Sequence, residues 1–126
     1  MTSAQVLVVE DNERNMKLFR DVLQASGYRT LEATTGERAV EVVLEHSPDL
    51  VLMDIQLPDI DGVEALGRLR ANERIASVPV LALTAQAMEG DRERFLAAGF
   101  DGYVSKPVNV ADLVATVKRH CEGRNR

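Results

Sequence analysis

A single cysteine, Cys121, stands in a chain of 126 residues. That scarcity excludes an internal disulfide and any metal site built on several cysteines. With no resolving partner, the thiol reads as a small apolar packing residue near the end of the last helical pattern. Long hydrophobic runs are missing too. The uninterrupted apolar stretches, Val80 to Leu83 among them, are four residues long, where a membrane-spanning helix needs about 20. Strand-like sequence has begun by Val6, which leaves no room for a signal peptide. A cytoplasmic protein with no membrane insertion is expected. Basic residues are in deficit, 15 against 20 acidic, for a net charge of -5. So few cations disfavour non-specific nucleic-acid binding, because too few phosphates would be neutralised. Neither a Walker A motif nor a Gly-x-Gly-x-x-Gly loop occurs, so nucleotide binding has no support.

The chain shows no Pro/Gly/Ser linker, low-complexity stretch or internal period. Its length fits one domain, residues 1–126, able to bury roughly two-thirds of its extended surface. Apolar residues make up 45% and charged residues 28%, the balance of a soluble globular protein. Short β-branched runs alternate with longer helical patterns, which argues for βαβ units and a parallel sheet with helices on both faces. The spacing of Met16, Phe19, Val22 and Leu23 predicts a first helix from Glu13 to Ser26, stopped by Gly27. Tyr28 to Ala33 reads as a more polar strand at a sheet edge. Thr34 and Glu37 form a capping box for a helix through Val40, Val43 and Leu44 that must stop before Pro48. A turn-rich loop, Pro58-Asp59-Ile60-Asp61-Gly62, precedes a helix from Val63 to Ala71. Met88 to Ala98 forms a fourth helix, its start weakened by Gly90 and its end closed by Gly99. Asn109 caps a last helix whose Val110, Leu113, Val114, Val117 and Cys121 share one apolar face. The tail from Glu122 reads as polar and frayed. Five strands and five helices use up the chain and leave nothing for an output domain.

Four of the strand-like runs end in residues that can handle phosphate or metal. Val6 to Val9 runs into Glu10-Asp11, Leu50 to Met53 into Asp54, Val80 to Leu83 into Thr84, and Tyr103 to Ser105 into Lys106-Pro107. In an open parallel sheet, chemistry gathers outside the carboxyl ends of the strands. These four ends would therefore bring together three carboxylates, a hydroxyl and an ammonium. Taken singly, each has an ordinary explanation: an acidic pair is a solvated turn, a lysine a solvated strand end, a threonine the start of a loop. Crowded carboxylates, however, raise one another's pKa unless a cation intervenes. Mg²⁺ is the hard cation that accepts one or two carboxylates and keeps its waters. A carboxylate can itself be the nucleophile and form an aspartyl-phosphate. Lys106 supplies a point charge for a phosphoryl oxygen, aimed by the fixed backbone of Pro107. Thr84 offers a hydroxyl, and the small Ala85 leaves room beside it. His46 and His120 stand alone near helix ends and read as surface residues.

Glu10-Asp11-Asn12, the segment Leu52 to Gly62, Thr84-Ala85 and Ser105-Lys106-Pro107 together resemble the receiver domain of two-component response regulators. The resemblance spans essentially the whole chain. The segments Asn12 to Phe19 and Met53 to Pro58 are further similar to stand-alone receivers of cell-cycle control. It implies a flavodoxin-like, doubly wound five-stranded parallel sheet, strand order 2-1-3-4-5, with five helices. By the same resemblance Asp54 accepts a phosphoryl group from a histidine kinase or histidine phosphotransfer protein. Asp11, Asp54 and the backbone carbonyl of Gln56 hold Mg²⁺, with Glu10 bound directly or through water. The Lys106–Pro107 peptide is expected to be cis. Thr84 and Tyr103 are the switch pair, although a tyrosine at that place serves equally as edge packing. Gln56 and Gln86 occupy variable places and leave the phosphoryl lifetime open. The resemblance makes the protein a signalling switch, with Mg²⁺-dependent self-phosphorylation and autodephosphorylation. Output is expected on protein partners through the face of the fourth helix, fifth strand and fifth helix, around Gln86 to Glu93, Tyr103 and Val108 to Asp112. The competing reading is a Mg²⁺-dependent phosphohydrolase or phosphotransferase working through an aspartyl-phosphate. Such enzymes usually carry a general-acid Asp two residues after the nucleophile, where this chain has Gln56, and a cap domain for which no residues remain.

Overall fold

Apolar side chains that alternate between two faces of a strand need a helix layer on each side, and this chain supplies both. The computed structural model describes residues 4–85, 91–106 and 108–124. Its elements run β1 (Gln5–Val9), α1 (Glu13–Ala25), β2 (Arg29–Ala33), α2 (Gly36–His46), β3 (Leu50–Asp54), α3 (Gly62–Ala71), β4 (Val80–Thr84), α4 (Asp91–Ala98), β5 (Gly102–Ser105) and α5 (Val110–Arg124). The strands form one parallel sheet in the order β2-β1-β3-β4-β5. That is the expected doubly wound, flavodoxin-like topology, with the polar β2 at an edge.

Successive strand residues point to opposite faces, and the two cores follow that period. Leu7, Val9, Val51, Met53, Val80 and Ala82 pack with Ala39, Val42 and Val43 of α2, Ala65, Leu66 and Leu69 of α3, and Phe95 of α4. Val6, Val8, Leu50, Leu52, Leu81 and Leu83 pack on the other face with Met16, Phe19 and Leu23 of α1 and Leu113, Val117 and Cys121 of α5. Strands β3 and β4 are buried on both faces throughout, as all-parallel sheets require. Burial foremost, with the nearby Asp49 charge adding to it, pushes the Cys121 thiol up to about 11, so it packs as an apolar group.

Several sequence expectations need correction. The cap of α2 is Thr35, which accepts from Arg38 N at 3.1 Å, rather than Thr34. The buried stripe of α2 centres on Ala39, Val42 and Val43, leaving Val40 and Leu44 half-buried. Asn109 does cap α5, accepting from Asp112 N at 3.1 Å. Val110, however, is exposed, and the apolar face of α5 begins at Leu113. That helix also continues through Arg124, past the point where fraying was expected. His46 is exposed as read, while His120 is half-buried, its Nδ1 2.8 Å from Thr116 O. Gly27 and Gly99 follow α1 and α4 with φ of 92° and 110°, where the sequence placed the stops. Residues Met88 to Gly90 of the expected fourth helix lie outside the described residues.

Candidate functional site

Glu10, Lys106 and the residue after Asp54 are each held by a backbone bond that prolongs the sheet beyond its last regular pair. Glu10 N donates to Ala33 O at 3.0 Å, Ile55 N to Leu83 O at 3.1 Å, and Lys106 N to Thr84 O at 2.8 Å. The carboxyl ends of β1, β3, β4 and β5 are thereby locked in register, and their chemical groups meet although up to 96 residues separate them. Glu10, Asp11, Asp54, Gln56, Thr84, Ala85 and Lys106 line one cleft of about 470 Å³. Of the residues singled out in the sequence, Glu10, Asp11, Asp54, Gln56, Thr84 and Lys106 are thus brought together, and Tyr103 is not. Pro107 and Gln86 lie outside the described residues, so neither the cis peptide nor the role of Gln86 is addressed.

The cleft is built around buried charge. Glu10 is 1% exposed, and Asp54 and Thr84 are each 6% exposed, while Asp11 stands open to solvent. The Lys106 ammonium bridges the two buried acids, 2.9 Å from Glu10 Oε2 and 2.9 Å from Asp54 Oδ2. Burial foremost pushes the Glu10 carboxyl above its ordinary value, helped by the Asp54 carboxylate, and Lys106 only partly offsets this. For Lys106 itself burial pulls the other way, but the hydrogen bonds to Glu10 and Asp54 outweigh it and raise the ammonium above its usual value. The second oxygen of Asp54, Oδ1, accepts from Gln56 N at 2.9 Å. Both oxygens of the carboxylate are thus oriented, one by a cation and one by a backbone amide.

The loop after Asp54 could not run this way with a larger residue at position 62. A Cβ on Gly62 would lie 2.6 Å from Asp54 O and 2.9 Å from Ile55 Cα. Both are backbone atoms that cannot step aside. Gly62 N instead donates to Ile55 O at 2.8 Å, and Asp61 caps α3 by accepting from Glu64 N at 2.7 Å.

One carboxylate oxygen each from Glu10, Asp11 and Asp54 come within 4.8 Å of one another. A set made only of hard oxygens, with two members buried and one open to water, fits a hard divalent cation that keeps part of its hydration. Among the described residues no cysteine or histidine adjoins it, so a soft metal has nothing to favour it.

The model of the response regulator receiver domain matches residues 6–118. This chain belongs to that family. Receivers are phosphorylated by histidine kinases and bind protein partners, so the domain is a signalling switch and not a turnover enzyme. It is 48% identical over 115 residues to the polar-differentiation response regulator DivK of Brucella ovis, spanning 91% of this chain and 94% of that relative. A putative response regulator from Chloroflexus aurantiacus superposes with a TM-score of 0.90 at 30% identity, covering 96% of this chain and 99% of the other. The receiver domain of sensor histidine kinase PA1611 from Pseudomonas aeruginosa gives 0.87 at 37% identity, over 96% and 99%. That receiver holds a magnesium ion in its active-site cleft.

Sequence reasoning missed Asn15, Arg94 and Phe95 of this receiver's cleft. Asn15, on the first turn of α1, donates from Nδ2 to Glu10 Oε1 at 3.3 Å, and nothing in its sequence context distinguishes it from a solvated residue. Phe95 lines the cleft, and its ring centroid lies 6.2 Å from that of Tyr103 and 6.1 Å from that of Phe100. As one apolar residue in an amphipathic helix it carried no signal. Tyr103 does not line the cleft. It is half-buried against the core and borders a groove with Leu96, Gly102, Thr116 and His120. Phe95 is therefore the physical link between cleft and groove. Among the described residues, no helix is long and apolar enough to cross a membrane.

Proposed function

We propose that this receiver is switched by phosphorylation of Asp54. The observation that carries the reading is the double contact of Lys106 Nζ with Glu10 and Asp54 at 2.9 Å each, inside a cleft open at the Asp11 side. An Asp54 oxygen attacks the phosphorus of a phosphohistidine on a histidine kinase or phosphotransfer protein. As the new acyl-phosphate bond forms, the phosphorus–nitrogen bond breaks and its electron pair stays on the imidazole, which takes up a proton from water. Glu10, Asp11 and Asp54 would hold Mg²⁺, joined by the backbone carbonyl of Gln56, which lines the same cleft. The ion would supply positive charge to the transferring phosphoryl oxygens. Lys106 holds the two buried carboxylates together by its paired contacts, and it can follow the anion to a phosphoryl oxygen once Asp54 is acylated. Self-phosphorylation by small acyl phosphates and later autodephosphorylation belong to the same site.

The Thr84 hydroxyl, buried at the end of β4, bonds a phosphoryl oxygen that exists in one state alone. That difference is what an effector needs in order to shift a conformational equilibrium. The shift passes through Phe95 to Tyr103 and alters the face of α4, β5 and α5, including Glu93 and Val108 to Asp112, where a downstream protein docks. The 48% identity to DivK supports a place in polar differentiation and cell-cycle control. Incubation with acetyl phosphate and Mg²⁺ should add one phosphoryl group by intact mass, and Asp54→Asn or EDTA should prevent it. Labelling that persists in Asp54→Asn would rule out the assignment. Thr84→Ala should still accept the phosphoryl group but lose the gain in partner affinity that beryllofluoride gives the wild type.

A further inference from the structure

The loop that leads away from Asp54 is fastened to an element that has no part in the cleft. Asp59 Oδ1 accepts from Gly36 N at 2.8 Å, and Asp59 Oδ2 accepts from Glu37 N at 2.9 Å. Those amides belong to the first turn of α2, where four N–H groups lack partners within the helix and the macrodipole favours an anion. Loss of water around Asp59 works against its charge, but backbone donors, Glu37 and Gly36 foremost, prevail and hold the acid at about 2. The carboxylate is therefore ionised at any ordinary pH. The next residue completes the fastening: Ile60 sits so close over Gly36 that a Cβ there would be 2.5 Å from Ile60 Cγ1.

The loop thus has three anchors. Gln56 N is bound to Asp54 Oδ1, Asp59 and Ile60 are bound to α2, and Gly62 N is bound to Ile55 O. Removal of the Asp59 bridge leaves the loop between Gln56 and Gly62 held by its two end hydrogen bonds and by the apolar packing of Leu57 and Ile60, with no polar tie to α2 near Gln56 among the described residues. We infer that Asp59 is a positioning residue for phosphoryl acceptance: its bridge to the first turn of α2 holds the Gln56 peptide against the Asp54 carboxylate. The inference rests on Asp54 being the acceptor. Asp59 touches none of the reacting atoms, and its effect reaches them through three residues of backbone.

A cap on α2 and a brace for the site would both stabilise the fold, so the test has to separate them. Thr35→Ala removes the other side-chain cap of the same helix, the bond to Arg38 N, and leaves the loop's anchor intact. Asp59→Ala removes the bridge. Asp59→Asn keeps the shape but turns one acceptor into an NH₂ that faces an N–H donor. Phosphorylation of the full chain by acetyl phosphate is followed by intact mass at saturating Mg²⁺ over a range of acetyl phosphate concentrations. Urea midpoints are measured alongside. Asp59→Ala and Asp59→Asn should lower the maximal rate by roughly tenfold, since a misplacement of about 1 Å can cost a hundredfold. The acetyl phosphate concentration at half-maximal rate should stay unchanged. Thr35→Ala should lose comparable stability yet react at the wild-type rate. Wild-type rates in both Asp59 variants would overturn the inference, as would a Thr35→Ala protein slowed as much as they are. Should Asp59→Ala fail to fold, Asp59→Asn decides the matter alone. Wild-type protein that takes no label on Asp54 would remove the acceptor assignment and this inference with it, a result distinct from equal labelling in all three.

Discussion

Replacing Lys106 with methionine keeps the aliphatic stem and deletes the charge, and the consequence can be worked from the site geometry. Glu10 and Asp54 would face each other without a cation. Two like charges within 4.8 Å of each other repel by roughly 3 kcal/mol or more at an effective dielectric of about 20. Breaking a fully buried pair costs about 3–5 kcal/mol, and an exposed pair at most about 1 kcal/mol. Here Glu10 is buried, but the Lys106 side chain is 19% exposed, so the cost falls between these limits, about 2 kcal/mol. Unfolding entropy near 2.1 cal/mol/K per residue gives roughly 0.26 kcal/mol/K for 126 residues, and the melting midpoint should drop by about 8 °C. The assay is thermal unfolding followed by circular dichroism at about pH 7 in EDTA. The pH dependence has a definite sign. Glu10 already holds its proton more tightly folded than unfolded, and Lys106 is what restrains that rise. Without Lys106 its folded pKa climbs further, so the penalty is full above that raised value and shrinks as pH falls through it and Glu10 takes up its proton in the variant. Added Mg²⁺ should also narrow the gap, because the freed carboxylates gain a competing cation. Equal midpoints in EDTA at pH 7, or a gap that does not change on acidification, would refute the reasoning.

Gly62→Ala should destabilise the fold by about 1–3 kcal/mol, the usual range for overpacking against groups that cannot move, and should slow labelling of Asp54 as the loop shifts; a midpoint within 1 °C of wild type would contradict the close approach to Asp54 O. Mg²⁺ should stabilise the wild type, by about 2.7 kcal/mol at a hundredfold excess over Kd, and Asp11→Asn should weaken that response while raising the EDTA midpoint slightly, since one repelling charge is gone; identical gains in the two proteins would remove Asp11 from the ligand set. Asp59, held at about 2, contributes stability that is present above its unfolded value of 3.8 and lost as pH falls through 2. The difference in urea stability between wild type and Asp59→Asn, about 1 kcal/mol once solvent screening at this exposed site is allowed for, should therefore close between pH 4 and 2, and a difference independent of pH would show the bridge to be uncharged.

The fold and the phosphoryl cleft were legible in the sequence because both are written in local runs. Strands β3 and β4, buried on both faces, appear as unbroken apolar tetrads, and each ends on the residue that serves the site. What stayed hidden depends on partners far away in the chain. Asp59 looks like part of a Pro-Asp turn, yet its partners Gly36 and Glu37 stand 23 and 22 residues earlier. The same bridge bears on the misplaced cap of α2: Thr34 and Thr35 are both good N-caps, and the helix starts at the residue whose amide Asp59 accepts. Phe95 could not be told from any other apolar residue of its helix until Tyr103 was seen beside it. Arg70 reads as one more charge near the end of α3. Its guanidinium in fact reaches Ala76 O, Val78 O, Gly99 O and the Asp101 carboxylate, the last 31 residues away.

The acids of this chain divide by which end of the sheet they occupy. At the amino ends of the strands they are structural. Asp49 accepts from Gln5 N while its own N–H donates to Gln5 O, both at 2.8 Å. Asp101 does the same with Val80, again at 2.8 Å both ways, and is tied to Arg70 as well. Backbone donors satisfy these carboxylates, and they are unavailable for chemistry. At the carboxyl ends Glu10 and Asp54 rely instead on side chains that can let go, Lys106 and Asn15, with the Gln56 amide as the one backbone partner among the described residues. A carboxylate held by a movable ammonium can exchange it for another cation or for a phosphoryl group, whereas one clamped to a strand by a backbone amide, with its own N–H returned to that strand, cannot do so without opening the strand's end. The rigid end lets the reactive end carry crowded charge: two apolar cores and the clamps at Asp49 and Asp101 fix the strands, so repulsion among Glu10, Asp11 and Asp54 cannot be relieved by moving them apart. Lys106 relieves part of it, and under the proposed function the rest is relieved by what enters the cleft, so that cation and phosphoryl group act on the same unbalanced charge.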